Sequence, residues 1–133
     1  MNETTILLID DDALSLNSLA RGLRLNGIKV DAFNSPVEAL EKFNKTNYNI
    51  VLSDIMMPIV DGFEILRRIK AVNEEIKVIL FTGFYTVEIG QKARFLGADK
   101  LFIKPVQIRE LAELIDFLIF QVQSNCKVLD EKN

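Results

Sequence analysis

The chain has 133 residues, one domain by the usual prior, and its 49% hydrophobic and 26% charged residues are the ordinary balance of a globular chain with a single core. Its net charge of −3 argues against a nucleic-acid backbone as a direct partner, no apolar run approaches the ~18 residues of a membrane span, and the first residues do not read as a signal peptide. With no histidine it cannot carry a phosphohistidine or a histidine base, and its lone cysteine, Cys126, cannot form an intramolecular disulfide; the expected compartment is the cytoplasm.

Short apolar runs alternate with segments of helical period. Strands are expected near 5–10, 28–33, 49–53, 77–81 and 100–103, and helices near 13–25, 36–45, 62–71, 86–96 and 107–122. Alternation of this kind implies an α/β fold, a parallel sheet with helices on both faces. The punctuation agrees. Asn26-Gly27 closes the first helix, and Ser35-Pro36-Val37-Glu38 is a capping box with proline at the first helical position. Asp61-Gly62-Phe63-Glu64 repeats the cap-then-acid pattern, and Gly97 ends the fourth helix. Residues 1–123 form the domain, and 124–133 read as a tail or the start of a linker.

Four of the five strand-like runs are followed by a residue with chemistry to offer. Asp10, Asp11 and Asp12 follow the first, Asp54 the third, Thr82 the fourth and Lys104 the fifth. Open α/β sheets bind ligands outside the carboxyl ends of their strands, so these residues converge on one crevice. Adjacent carboxylates repel, and a hard divalent cation such as Mg²⁺ relieves that repulsion. The competing reading is a solvated acidic loop in which one Asp caps the next helix, a role that falls to Asp12. Asp54 closes a buried strand and can act as a covalent nucleophile towards phosphorus, giving an acyl phosphate; the plainer reading is an acid that ends a strand. Thr82, beside Gly83, can hydrogen-bond a phosphoryl oxygen, and Lys104 can neutralise its charge. The Lys104–Pro105 bond is a candidate for the cis form, which would aim the lysine inward.

Taken in order, the acid pair, Asp54-Ile55-Met56-Met57-Pro58-Ile59-Val60-Asp61-Gly62, Thr82-Gly83 and Lys104-Pro105 resemble the receiver domain of two-component response regulators over roughly residues 4–122. The resemblance implies a flavodoxin-like, three-layer doubly wound (βα)5 fold with strand order 2-1-3-4-5. It implies that Asp54 accepts a phosphoryl group from the phosphohistidine of a sensor histidine kinase or histidine phosphotransfer protein. Asp11, Asp54 and the Met56 carbonyl would hold Mg²⁺, with Asp10 acting mainly through water. Thr82 and Lys104 would contact the phosphoryl group. Receivers also tune hydrolysis of the acyl phosphate through the residues two beyond the acceptor and two beyond the threonine, here the apolar Met56 and Phe84. One position departs from the pattern. Receivers usually carry an aromatic residue three before the lysine, and this chain has Leu101 there, with Phe102 pointing to the opposite face of the strand.

Three other readings compete. A phosphohydrolase of the haloacid dehalogenase type also forms an aspartyl phosphate, but it needs a cap this chain has no room for. A flavin-binding loop after the first strand would be rich in Ser, Thr and Gly rather than triply acidic. A bare scaffold would not keep Asp10, Asp11, Asp54, Thr82 and Lys104 together. On the fifth helix, Ile108, Leu111, Ala112, Ile115, Leu118, Ile119 and Val122 form the expected core stripe. Phe117 and Phe120 fall off it and, with Tyr85, are expected to form a docking or dimer surface on the fourth and fifth helices.

Overall fold

In the computed structural model, which describes residues 4–132, ten elements follow in strict alternation. They are β1 (Thr5–Ile9), α1 (Ala13–Leu25), β2 (Lys29–Phe33), α2 (Pro36–Lys45), β3 (Ile50–Asp54), α3 (Gly62–Val72), β4 (Lys77–Thr82), α4 (Val87–Phe95), β5 (Lys100–Ile103) and α5 (Ile108–Lys132). The five strands are all parallel, in the order β2-β1-β3-β4-β5. This is the flavodoxin-like, doubly wound arrangement expected from the sequence.

The layers follow from strand alternation. Ile6 and Leu8 of β1, Ile50 and Leu52 of β3, and Ile79 and Phe81 of β4 face the side covered by α1 and α5. Leu7, Ile9, Val51, Val78 and Leu80 face the side covered by α2, α3 and α4. Strands covered on both faces must be apolar at every position, and Ile6 to Ile9 and Ile50 to Leu52 are fully buried. Leu101 packs towards the α4 side, whereas Phe102 turns to the α5 side and stacks on Phe81 with ring centroids 6.0 Å apart.

Side-chain caps set the helix starts. Asp12 accepts from the Leu14 N–H, Ser35 from Glu38, Asp61 from Glu64 and Thr86 from Ile89, each at 2.9–3.2 Å. The first and fourth helices end on Gly27 and Gly97, whose φ values of 80° and 94° suit a residue without Cβ. Two boundaries differ from expectation. Thr86 is the N-cap of α4, so Tyr85 lies in the preceding loop rather than at the helix start. The fifth helix runs on to Lys132 instead of ending near 122, because residues 123–132 contain neither Gly nor Pro to stop it.

A polar contact missed in the sequence pins the sheet edge. Tyr48, 2% exposed, donates its hydroxyl to Asp31 Oδ2 of β2 at 2.5 Å. Burial and the neighbouring Asp31 both push its phenol above the ordinary value.

Candidate functional site

The strand order reverses between β1 and β3, and the crevice at the carboxyl ends of these two strands holds the acidic residues. Asp10 leaves β1 and is 2% exposed; its backbone N–H still donates to the Phe33 carbonyl at 3.1 Å. Its Oδ1 accepts from the Asp12 N–H at 3.0 Å and its Oδ2 from Lys104 Nζ at 3.0 Å. Asp11 is exposed beside it. Asp54 is the last residue of β3 and is buried. The ladder continues past it, with the Ile55 N–H donating to the Phe81 carbonyl at 2.9 Å, so the carboxylate is held on rigid backbone.

Carboxylate oxygens of Asp10, Asp11 and Asp54 lie within 4.8 Å of one another. Three hard oxygen donors at such spacing, mutually repulsive and partly desolvated, fit a divalent metal ion. The electrostatics agree. Burial raises the Asp54 carboxyl above its ordinary value; Lys104 opposes that rise, while Asp10 and Asp11 add to it. Burial acts to lower the Lys104 ammonium, but its hydrogen bonds and charge contacts with Asp10 and Asp54 prevail and hold it above the usual value. The site therefore keeps a cation in contact with both buried carboxylates, with Lys104 Nζ 3.0 Å from Asp10 Oδ2 and 3.1 Å from Asp54 Oδ1.

Lys104 is brought in from β5. Its N–H donates to the Thr82 carbonyl at 2.8 Å, and the Lys104–Pro105 bond is cis, as anticipated. The ammonium also donates to Ser15 Oγ of α1 at 3.1 Å, a partner the sequence reading did not single out. Thr82 is fully buried at the end of β4, beside the end of β3. Its hydroxyl is turned onto its own loop, donating to the Phe84 carbonyl at 2.9 Å and accepting from the Phe84 N–H at 3.1 Å. Thr82 thus adjoins the cluster without joining its hydrogen bonds. Met56 lies two residues beyond Asp54 with its side chain 68% exposed, and Phe84, also on the rim, is 71% exposed.

The loop from β3 to α3 is tightly shaped. A Cβ on Gly62 would lie 2.4 Å from the Asp54 carbonyl oxygen, so α3 can start against β3 only with glycine there. Ile59, 92% exposed, has φ of 71°, a strained conformation for a β-branched residue, in the loop that follows Asp54. A groove of about 470 Å³ lies between α4 and β5, lined by Tyr85, Gly90, Leu101 and Ile103 among others. Tyr85 lies over the bare backbone of Gly90, where a Cβ would come within 2.4 Å of its hydroxyl oxygen. On α5, Leu111, Ala112, Ile115 and Leu118 of the expected stripe are buried, and Ile108 and Ile119 are half-buried against the same core together with Leu114, which the stripe left out; Val122 is half-buried, while Phe117 and Phe120 are 55% and 64% exposed. Among the described residues, no helix is long and apolar enough to cross a membrane.

Comparison with known proteins gives the same picture. A family model described as "Response regulator receiver domain" matches residues 6–116. Curated relatives include the transcriptional regulatory protein PrrA of Mycobacterium leprae, 31% identical over 86% of this chain and 49% of the relative. They also include the response regulator MprA of the same organism, 32% identical over 86% of this chain and 50% of the relative. The chain thus spans about half the length of these relatives. Among solved structures, a CheY-like receiver domain protein from Methanospirillum hungatei is similar with a TM-score of 0.86 at 29% identity, covering 93% of this chain and 99% of that one. The response regulator TrrA of Thermotoga maritima, solved in complex with Mg²⁺ and BeF, has a TM-score of 0.77 at 30% identity, over 86% of this chain and 98% of that one. Fold, site and relatives converge: the chain belongs to the response regulator receiver domain family of two-component signalling.

Proposed function

We propose that Asp54 takes a phosphoryl group from the phosphohistidine of a sensor histidine kinase or histidine phosphotransfer protein. The observation that carries this reading is the buried Asp54 carboxylate, touched by Lys104 at 3.1 Å and flanked by Asp10 and Asp11 within 4.8 Å. In the transfer, an Asp54 oxygen forms the bond to phosphorus as the P–N bond of the donor breaks, and the imidazole leaves with the electron pair. The chain has no histidine of its own, so the donor is another protein or domain. Asp11, Asp54 and the Met56 carbonyl would hold Mg²⁺, with Asp10 acting mainly through water. When bound, Mg²⁺ offsets the charge of carboxylates and phosphoryl oxygens that must share the crevice. Lys104 moves from Asp54 Oδ1 to a phosphoryl oxygen. Thr82 gives up its donation to the Phe84 carbonyl and turns its hydroxyl to the phosphoryl group, which releases the loop before α4.

The domain, residues 1–123 with 124–133 as a tail or the start of a linker, acts as a signalling module rather than an enzyme. Its only chemistry is its own phosphorylation and dephosphorylation. It works in the cytoplasm, without membrane or direct nucleic-acid contact, and Phe117 and Phe120 of α5, with Tyr85 from the loop before α4, offer apolar surface for pairing with a second copy. The matched family favours this reading over a phosphohydrolase of the haloacid dehalogenase type. Incubation with phosphoramidate and Mg²⁺ should add the mass of one phosphoryl group, and Asp54→Asn should add none. Equal labelling of the variant would refute the assignment.

A further inference from the structure

We propose that Ser15 is a positioning residue for Lys104: its hydroxyl keeps the ammonium aimed at the crevice while the charge on Asp54 is redistributed. The proposal rests on the Asp54 reading above. Lys104 Nζ lies 3.0 Å from Asp10 Oδ2, 3.1 Å from Asp54 Oδ1 and 3.1 Å from Ser15 Oγ. A lysine ammonium has three N–H donors and no acceptor. Three acceptors, brought from the end of β1, the end of β3 and the first turn of α1, therefore match its donors one for one.

These acceptors are not equivalent. Asp54 Oδ1 changes character when the carboxylate becomes an acyl phosphate, and Asp10 belongs to the carboxylate cluster that fits a metal ion. Ser15 is neutral and is touched by neither event. Its place is fixed, because the start of α1 is held by Asp12, whose carboxylate accepts from the Leu14 N–H at 3.1 Å. Since Asp12 already caps the helix, the Ser15 hydroxyl is not needed for capping and can serve the lysine. Lysine has a flexible four-carbon stem and is a point charge, without the planar fork that pre-orients arginine. When its contact with Asp54 is broken, one remaining tether leaves it free to pivot, whereas two define its direction.

The test compares Ser15→Ala and Ser15→Thr with the wild type, using phosphoramidate and Mg²⁺ on the whole chain. Ser15→Ala should lower the labelling rate at saturating donor about tenfold, equivalent to about 1.4 kcal/mol. The donor concentration giving half-maximal rate should stay unchanged, because Ser15 does not touch the donor. The melting temperature should hold or rise slightly, since alanine is the better helix former, so a loss of rate is not a loss of fold. Ser15→Thr keeps the hydroxyl and should restore the rate. Separately, in metal-free, unphosphorylated protein the ¹⁵N resonance of Lys104 Nζ should shift in Ser15→Ala and return in Ser15→Thr. Wild-type labelling by Ser15→Ala, or an Nζ resonance identical in all three proteins, overturns the proposal. If the wild type takes no phosphoryl group, the Asp54 reading fails and the Nζ resonance still decides the role of Ser15.

Discussion

Gly62→Ala should destabilise the domain although it places a better helix former in a helix. The added Cβ would meet the Asp54 carbonyl oxygen at 2.4 Å, the Ile55 Cα at 2.7 Å and the Asp54 carbonyl carbon at 3.0 Å. All three are backbone atoms of the strand end and cannot rotate away. A carbon–oxygen contact settles near 3.3–3.6 Å, so α3 and β3 must part by about 1 Å. That separation weakens the Gly62 N–H bond to the Ile55 carbonyl, which is 2.9 Å long. Overpacking costs about 1–3 kcal/mol and the hydrogen bond about 1 kcal/mol, against about 0.5–1 kcal/mol returned by replacing glycine within a helix. The net expectation is a loss of about 2 kcal/mol, or about 8 °C in melting temperature at roughly 4 °C per kcal/mol for a domain of this size. Thermal unfolding followed by circular dichroism, with urea titration to check that the m-value is unchanged, measures it. A variant as stable as the wild type, or more so, would show that helix propensity decides at this position and that the close approach is not a constraint.

In metal-free solution, the stability difference between wild type and Asp54→Asn should depend on pH. Because burial raises the Asp54 carboxyl in the folded state, its contribution is fully present below the unfolded carboxylate value of about 3.9 and is lost as pH rises through the higher folded value. Urea midpoints from pH 3 upward should therefore move against the wild type, and a difference that stays flat or grows in its favour contradicts the electrostatic account. The acyl phosphate should be long-lived, since Met56 and Phe84 are apolar and cannot orient a water molecule; Met56→Asn with Phe84→Glu should shorten its decay time several-fold, and unchanged decay of the label rules this out. Phe117→Ser with Phe120→Ser should weaken self-association without lowering the melting temperature, and a wild-type protein that sediments as a monomer with and without a phosphoryl mimic removes the dimer.

Much of the fold was legible because each local signal agreed with the others. The runs Ile6 to Ile9 and Ile50 to Leu52 are apolar at successive positions, as strands covered on both faces require, and Asp12, Ser35 and Asp61 cap the helices they precede. The site was legible as a list of residues after strand ends, since topology alone carries Asp10, Asp54 and Lys104 to one edge. Its finer geometry was not. Ser15 is one serine in a helix, and nothing in its spacing announces that a lysine 89 positions away will reach it. The Thr82 hydroxyl was read as facing the crevice, but a threonine ahead of a turn can equally satisfy itself on local backbone, as it does with Phe84. The glycine of Asp61-Gly62 read as part of a helix start, while its closer constraint is a backbone contact made across the loop. The fifth helix was expected to end near 122, where the chain turns polar, yet nothing in residues 123–132 breaks a helix.

The most direct test of the account is to locate the phosphoryl group. The protein is labelled from a phosphorylated histidine phosphotransfer domain in the presence of Mg²⁺, the acyl phosphate is reduced with borohydride to homoserine, and the peptides are sequenced by mass spectrometry. The account predicts homoserine at position 54 alone, its yield lost when Mg²⁺ is chelated and in Asp11→Ala. Homoserine at Asp10, Asp11 or Asp12, or transfer that proceeds at full rate without a divalent cation, would contradict it.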